Sequence, residues 1–396
     1  MKRSVSGLSL LFFALTLVAA AQQPPSTQIS VDCGKGQSLN KTLANLNPQT
    51  PYTVSVNGTC TEFVQVIGFH NLVLRAQPGA ALAQPSTGGG SLFNATLYIG
   101  ASQSVQVEGL TFDGSAGGLA NIGIVHGSTD IRLRSLDVKG GGGGIIVAEN
   151  SQVSIAYVHV HDAGYASLGI YDSSDVHLEH SQFEYTTNGQ NQWHVGIGLG
   201  ASHVTLYATT IKNMQQGISG GADSIVDFDV FNTYYATTTG STDVVMDNSG
   251  GFSFAGVALT GGSLNIYNAK LVSNNSGQSW GGTTAGVVLD EGSSMVADNG
   301  YLSITGSLGQ GIVAMNNSHA TLFNATVANG TRGGLVAINN SSIDLSINNT
   351  PLSTISGNAV DLFCDSDSKI TGTANISGTP TAQCSNLLSS ETVSLP

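Results

Sequence analysis

The sequence predicts an all-β protein, a right-handed single-stranded parallel β-helix of about 11–12 coils. Its main evidence is an eight-residue phrase with apolar residues at the first, third and last positions, which begins at residues 105, 131, 153, 176, 204, 252, 264 and 320. The first five starts lie 26, 22, 23 and 28 residues apart, a period typical of solenoids. Shorter phrases such as Gly-Ile-Ile-Val (144–147) precede several copies, so one repeat holds three short strands.

Within each phrase the apolar residues alternate with polar ones, which points one face of each strand into a narrow core. Polar runs such as Glu149-Asn150-Ser151 separate the strands and supply corner residues that tolerate positive φ. An amphipathic helical fold is excluded by the density of Gly, Val, Thr and Ser. A propeller or sandwich would need regularly spaced hairpins with Asn-Gly turns, and these do not recur.

The N-terminus is typical of a secretory signal. Lys2 and Arg3 precede an apolar run from Leu8 to Val18, and Ala19-Ala20-Ala21 supplies small residues for cleavage. We therefore expect a signal peptide at 1–21, an N-terminal cap at 22–51, a β-helix domain at 52–384 and a tail at 385–396. The apolar run is too short to span a bilayer, so we expect an exported monomer without a membrane span, either extracellular or periplasmic.

Without the leader, the chain has 10 Lys and Arg against 25 Asp and Glu, a net charge of −15. This balance disfavours nucleic acids and anionic membranes as partners, because both need clustered basic residues. The four cysteines, 33, 60, 364 and 384, form an even set in an exported chain and predict disulfides. Three pairings are open; Cys33–Cys60 and Cys364–Cys384 are the local ones, one at each end of the solenoid.

The N-terminal part resembles the pectate-lyase-like superfamily of right-handed β-helix proteins. Three segments carry the resemblance: Val31-Asp32-Cys33, the segment from Val54 to Glu62 that contains Cys60, and Leu72-Val-Leu-Arg75. Together they are similar to the starts of many bacterial exported members. The resemblance implies the β-helix fold over nearly the whole mature chain. It implies no single activity, since the superfamily includes lyases, hydrolases, epimerases, tailspikes and adhesins.

Stacking the repeats predicts which distant residues are neighbours, because adjacent coils lie about 4.8 Å apart. One outward column reads Asp113, Lys139, His161, Glu184, Lys212, and another reads Thr111, Asp137, His159, Gln182, Thr210. Six of the nine histidines lie between 159 and 203, together with aromatic residues that could stack on sugar rings. We interpret His161, His159, Lys139 and Glu184 as candidate catalytic residues. Candidate substrate-binding residues are Asp137, Lys212, Tyr185, Tyr165 and Trp193.

Three kinds of chemistry are open for this face. A glycosidase needs two carboxyl groups roughly 5–9.5 Å apart, whereas Asp113 and Glu184 are three coils apart, about 14 Å. A turn carboxylate such as Asp162, Asp172 or Asp175 would have to join Glu184. A metal site is also open, since His159-x-His161-Asp162 and His177-x-x-His180 have usable spacing. A lone His-x-His is common by chance, so no metal ligands are predicted.

A lyase or epimerase acting on a uronic-acid polymer needs a base and a cation that stabilises the enolate. His161 as base and Lys139 and Lys212 as cations would suit that reaction. The face is acidic, however, so no cofactor follows from the residues alone, and Ca²⁺ is the ion that would draw in a polyanion. The Asn-Thr-Asp and Arg-Ile-Lys sets of polygalacturonases, the Arg motif of pectate lyases and the Asp-Pro-His of alginate epimerases are missing.

We therefore predict an exported β-helix protein that binds or acts on an extracellular polysaccharide, lyase-like if it is catalytic. The alternative is a non-catalytic surface protein, adhesin or structural module. In that case the charged columns only keep the solenoid soluble.

Overall fold

The computed structural model describes residues 26–86, 95–186, 194–228, 244–247, 254–267, 270–274, 285–298, 301–345 and 352–377. These residues form a parallel β-solenoid whose strands belong to three sheets, called here sheets 1, 2 and 3 in the order in which each coil visits them. Every described strand pair is parallel, and each strand pairs with the equivalent strand of the preceding and following coils. The predicted all-β solenoid is thus confirmed.

Sheet 1 contains the first strand of each coil. Its 14 strands are Thr27–Asp32, Tyr52–Asn57, His70–Ala76, Gln103–Glu108, Ile131–Arg134, Gln152–Ala156, Asp175–Glu179, His203–Tyr207, Ile225–Phe228, Ser263–Tyr267, Ser294–Asp298, His319–Leu322, Ser342–Leu345 and Lys369–Gly372.

Sheet 2 follows after a short bend and carries the candidate site. Its 13 strands are Thr59–Thr61, Ala81–Ala83, Thr111–Asp113, Asp137–Lys139, His159–His161, Gln182–Glu184, Thr210–Lys212, Val244–Asp247, Lys270–Asn274, Tyr301–Thr305, Ala325–Ala328, Ser353–Ser356 and Ala374–Ser377.

Sheet 3 closes each coil after a longer connection. Its 12 strands are Val64–Ile67, Leu97–Gly100, Ala120–Val125, Gly143–Val147, Ala166–Tyr171, Val195–Gly200, Gln216–Gly220, Ala255–Thr260, Ala285–Asp290, Gln310–Met315, Gly333–Ile338 and Val360–Cys364.

The predicted cap begins with a strand that joins the solenoid. Thr27–Asp32 pairs in parallel with Tyr52–Asn57 at the end of sheet 1. A 3-10 turn at Cys33–Lys35 and a helix at Leu39–Ala44 follow, and Leu39 and Leu43 are buried against the first coils. The Cys33–Cys60 disulfide is present, with its Cα atoms 5.1 Å apart, and ties this segment to sheet 2. Cys384, the predicted partner of Cys364, lies outside the described residues.

The apolar positions of the eight-residue phrase fill the core. Val105, Ile131, Val153, Val176 and Val204 stack in sheet 1, and all are buried. One predicted repeat is wrong, the phrase that starts at residue 252. Its last residue, Leu259, lies in sheet 3, where it pairs with Gly220 and Leu289, so that phrase does not run from sheet 1 to sheet 2.

The corner between sheets 3 and 1 is closed by a buried ladder of serines. The Ser151 amide donates to Ser174 Oγ at 3.1 Å, and the Ser174 amide donates to Ser202 Oγ at 3.2 Å. The same bond recurs from Ser318 to Ser341, also at 3.1 Å. Each hydroxyl thus satisfies an amide that the turn removes from the sheet pairing, and a buried amide left unpaired would be costly.

Glycines in sheet 3 allow its strands to lie close to the sheet 2 side chains. A Cβ on Gly144 would meet Val160 Cγ1 at 2.5 Å, and one on Gly311 would meet Val327 Cγ1 at 2.2 Å. Both contacts are too short for any side chain. At these two positions the Gly of a Gly-Ile phrase is therefore required by the close approach of sheets 2 and 3.

Candidate functional site

The outward face of sheet 2 carries the predicted columns in the predicted register. Asp137, His159 and Gln182 are consecutive Cα partners, as are Lys139, His161 and Glu184. The middle residue of each of these three-residue strands is a fully buried apolar side chain, such as Val160 or Phe183. Because neighbouring residues of a strand point to opposite faces, the two flanking residues face outward.

His159 lies between two carboxylates. Its Nε2 is 2.9 Å from Glu184 Oε1, and its Nδ1 is 3.4 Å from Asp137 Oδ1. Glu184 is itself held by the Gln182 amide, which donates to Oε2 at 2.7 Å. The first contact is a hydrogen bond, whereas the second is longer than the 2.7–3.2 Å of an N–H···O bond.

His161 stacks on His159, with ring centroids 4.7 Å apart and an interplanar angle of 21°. Its Nδ1 is 3.1 Å from Asp162 Oδ2, and its Nε2 is 3.5 Å from Asp137 Oδ1. Only 15% of the His161 side chain is exposed, so its orientation is well constrained by the neighbouring strands. Both histidines therefore share Asp137 as a neighbour, while each has a carboxylate of its own on the far side of the ring.

Asp162 orients His161, and sequence reasoning missed this role. The residue follows the strand directly and has φ 58°, a left-handed conformation that Asp tolerates better than most residues. The Thr186 amide and hydroxyl both donate to Asp162 Oδ1, at 2.8 and 2.7 Å. Burial opposes ionisation of Asp162, but the bonds from Thr186 and the contact with His161 outweigh it, so the pKa of Asp162 is lowered. Its adjacency to His161 at a strand end was the available signal.

The two lysines of the site are not equivalent. Lys139 is the direct neighbour of His161 in the column, whereas Lys212 pairs with Glu184 and Asp247 and is two strands from His161, about 9.6 Å at the usual strand spacing. Bonds from the Ser115 hydroxyl and amide, followed by the nearby Lys139 and His161, lower the pKa of Asp113. Of the two lysines, Lys139 is therefore the one in the strand adjacent to His161.

Two of the predicted aromatic residues, Tyr185 and Tyr165, lie beyond the C-terminal ends of sheet 2 strands. Tyr185, just after Gln182–Glu184, stacks on buried His194 with ring centroids 3.8 Å apart, and burial lowers the pKa of His194. Tyr165 is 61% exposed and lines a hollow over sheet 3 together with Tyr171 and Gly198. The Tyr185 side chain is therefore packed against His194 beside the site, whereas the Tyr165 side chain is exposed to solvent. Trp193 lies outside the described residues.

The second histidine spacing noted in the sequence does not form a pair. His177 lies on the outward face of sheet 1, where its Cα partners are Ser154 and Thr205. His180 stacks on Tyr157, with ring centroids 5.1 Å apart, and contacts Tyr207 edge-on, with ring centroids 5.3 Å apart. The chain turns between the two histidines, so their spacing of three residues does not bring them to one ligand.

Asp113 and Glu184 are three strands apart in the column, as the sequence predicted. The structure brings a different carboxylate, Asp137, near Glu184. The His159 imidazole fills the space between these two carboxylates. An inverting glycosidase needs that space for a water molecule, so the pair does not favour hydrolysis by an inverting mechanism.

No helix in the described part of the chain is long and apolar enough to cross a membrane. Neither a family model nor a curated protein matches the sequence. Solved structures that resemble it include PfbA, a surface adhesin of Streptococcus pneumoniae, with 12% identity, a TM-score of 0.42, and coverage of 90% of this chain and 93% of that one.

Two enzymes show a similar degree of likeness. The pectate lyase Pel9A has 13% identity and a TM-score of 0.37, with coverage of 90% of this chain and 78% of that one. The A-module of the Azotobacter vinelandii mannuronan C-5 epimerase AlgE4 has 12% identity and a TM-score of 0.38, with coverage of 93% and 91%. Similarity this weak does not assign a site, and the class of protein, a parallel β-solenoid, follows from the strand pairing itself.

Proposed function

We propose that the chain is an exported β-helix protein that binds and cleaves an extracellular uronic-acid polysaccharide by a lyase reaction on the outward face of sheet 2. The observation that carries the proposal is the juxtaposition of His161, Asp162 and Lys139: an imidazole held by a carboxylate, with a cation in the adjacent strand. Export is supported by the leader-like N-terminus and by the Cys33–Cys60 disulfide, which an oxidising compartment favours.

In the proposed reaction, His161 acts as the base. A carboxylate only accepts, so Asp162 holds the ring proton on Nδ1 and leaves the lone pair on Nε2. That lone pair removes the C5 proton of a uronate, the electron pair forms a C4–C5 double bond, and the C4–O bond breaks. The departing oxygen takes a proton from water. Lys139 stabilises the negative charge that develops on the uronate carboxylate.

The acidity of the face has to be overcome for a polyanion to bind. Asp137, Asp162 and Glu184 surround the two histidines, so the local field repels a polyuronate. A divalent cation such as Ca²⁺ bridging substrate and protein carboxylates would relieve this repulsion. The assay therefore needs arms with and without Ca²⁺.

A non-catalytic surface module is the second candidate, and one observation favours it. His159 is placed between Asp137 and Glu184, so a protonated His159 would pair with two carboxylates of its own ladder. A purely structural ladder would show such pairing along its whole length.

The test is a panel of polyuronates and neutral polysaccharides assayed by absorbance of unsaturated products and by reducing ends. We expect an unsaturated product from at least one polyuronate, a loss of about 10²–10⁴-fold in His161→Ala, and no change in His319→Ala, an exposed histidine on sheet 1. Polysaccharide binding without any product would support the surface module. No product and no binding on the whole panel, with or without Ca²⁺, would contradict both.

A further inference from the structure

Three side chains on the outward face of sheet 2 direct their ligand atoms at one point. Asp137, His159 and His161 each offer one nitrogen or oxygen atom, and these atoms all lie within 4.8 Å of one another. Asp137 Oδ1 is 3.4 Å from His159 Nδ1 and 3.5 Å from His161 Nε2. The three residues come from two adjacent strands, whose pairing fixes their spacing.

The hydrogen bonds on the far side of each ring determine what faces this point. Glu184 binds His159 at Nε2, and Asp162 binds His161 at Nδ1. Because ionised carboxylates only accept hydrogen bonds, each neutral imidazole carries its proton on that far side. His159 Nδ1 and His161 Nε2 then each carry a lone pair instead of a proton. Both face Asp137 Oδ1, which also has no proton. Three acceptors that converge in this way repel one another unless a cation lies between them.

The two distances from Asp137 Oδ1 suit such a cation. Zinc is bound by nitrogen and oxygen at about 2.0–2.2 Å, so two ligands of a tetrahedral ion lie about 3.4 Å apart. Both Asp137 contacts have this length, which is too long for a hydrogen bond and too short for an intervening water.

The outer contacts are those of a metal centre. Histidine ligands commonly donate their other N–H to a carboxylate, which fixes the tautomer and the ring orientation. Here both histidines do so, and each of those carboxylates is held in turn, Glu184 by Gln182 and Asp162 by Thr186. Roughly half of the Asp137 side chain and 39% of the His159 side chain are exposed, so a fourth coordination position would face solvent.

We propose that Asp137, His159 and His161 bind a divalent transition-metal ion of the zinc class, with Glu184 and Asp162 positioning the imidazoles. Two nitrogen ligands and one oxygen favour Zn²⁺, Co²⁺, Ni²⁺ or Cu²⁺ over Ca²⁺, which takes six to eight oxygen ligands. The other Cys/His/carboxylate group in the described residues, Cys33, Cys60 and Glu62, is not comparable because its cysteines form the disulfide.

The metal site goes beyond the proposed function and does not depend on it. The two roles compete for one atom, since the Nε2 lone pair of His161 cannot bind a metal and accept a proton at the same time. Metal loading is therefore expected to suppress a lyase reaction that uses His161 as its base.

The direct test is calorimetric titration of Zn²⁺ into the chelator-treated mature protein from which any affinity tag has been removed, with Co²⁺ absorption as a second readout. We expect one ion per chain, the visible bands of four-coordinate Co²⁺, and at least about 100-fold weaker binding in His159→Ala and in His161→Ala. Asp137→Asn provides a third variant of nearly unchanged shape. His319→Ala is the matched control and should bind as the wild type does, and circular dichroism verifies that each variant is folded.

A positioning variant adds a further check. Asp162→Asn keeps all three ligands but removes the carboxylate behind His161, so we expect about 10–100-fold weaker Zn²⁺ binding. No Zn²⁺ binding by the wild type, or equal binding by the wild type and folded His159→Ala, would refute the metal site. Uronate cleavage by metal-free protein that binds no Zn²⁺ would leave the proposed function intact, whereas Zn²⁺ binding without any cleavage would leave only the metal site.

Discussion

Histidines on two faces of this solenoid differ in how many of their ring nitrogens are hydrogen-bonded to carboxylates. On sheet 1, His203 has Asp175 Oδ1 2.9 Å from Nδ1 and Asp227 Oδ2 3.0 Å from Nε2. On sheet 2, His159 and His161 each have one ring nitrogen at hydrogen-bond distance from a carboxylate and the other 3.4–3.5 Å from the shared Asp137. The same residue types thus give a histidine that is hydrogen-bonded at both ring nitrogens on sheet 1, and histidines with one ring nitrogen beyond the usual hydrogen-bond distance on sheet 2.

The electrostatic consequence is clearest for His203. The hydrogen bonds that His203 donates to Asp175 and Asp227 raise its pKa to about 9, against the opposing effect of burial. Burial opposes ionisation of Asp227, but its bonds with His203 and Asn265 lower its pKa. His203 is therefore a charged, structural residue at neutral pH. A histidine that serves as a base or metal ligand needs a ring nitrogen that is not already hydrogen-bonded, and His159 and His161 on sheet 2 each have one.

The largest expected effect separates the two lysines of the proposed site. Lys139→Met should lower the turnover of a cleaved polyuronate by about 10²–10³-fold, because the developing charge loses its adjacent cation. Lys212→Met should cost less than about tenfold, since Lys212 is two strands from His161. The measurement is kcat for both variants on the substrate found with the panel. Equal losses in the two variants would contradict the assignment of Lys139.

The next effect compares the carboxylate partners of the two ladders. Asp162→Asn should reduce kcat by about 10–100-fold, because the amide no longer fixes the His161 tautomer. Asp175→Asn, which changes the partner of His203, should leave kcat within about twofold of the wild type. A pH–rate profile distinguishes loss of a positioned base from general destabilisation, since only the former shifts the acidic limb.

For the free energy of unfolding, the sheet 1 histidine should matter more than the sheet 2 histidine. His203→Ala removes two charge-assisted hydrogen bonds and leaves Asp175 and Asp227 without their cation, so we expect a loss of about 1–2 kcal/mol, kept small by partial exposure. His159→Ala should cost less, because one of its two contacts is longer than a hydrogen bond. Urea unfolding followed by circular dichroism measures both, and a larger loss in His159→Ala would reverse the comparison.

The smallest effect is the pH dependence that His203 imposes. Its pKa rises from about 6.5 in the unfolded chain to about 9 in the folded one, so the folded state binds the extra proton. This stabilisation is fully present below about pH 6.5, and it is lost as the pH rises from 6.5 through 9. Urea midpoints at pH 6 and 9.5 should therefore differ more in the wild type than in His203→Ala.

Much of the fold could be predicted because a solenoid converts spacing along the chain into neighbours in space. The eight-residue phrase established the pairing of Asp137 with His159 and of Lys139 with His161 without any coordinates. The prediction failed at the phrase starting at 252, where Ala255–Thr260 belongs to sheet 3. Apolar alternation is the same in all three sheets, so the pattern identifies a strand but not the sheet to which it belongs.

The sequence by itself determined the β-solenoid, its register around the site and the outward face of sheet 2, since all of these follow from periodicity and residue type. It left three cysteine pairings open, and the structure shows the Cys33–Cys60 bond. Only the tertiary structure decided which ring nitrogen of His159 and of His161 is hydrogen-bonded to a carboxylate. That depends on the diagonal contact of His161 with Asp137, on the turn that aims Asp162 back at His161, and on the side-chain rotamers of Glu184 and His159. Strand register specifies which residues are neighbours in adjacent coils. The direction of an imidazole nitrogen depends on side-chain torsion angles, which a repeat pattern does not encode.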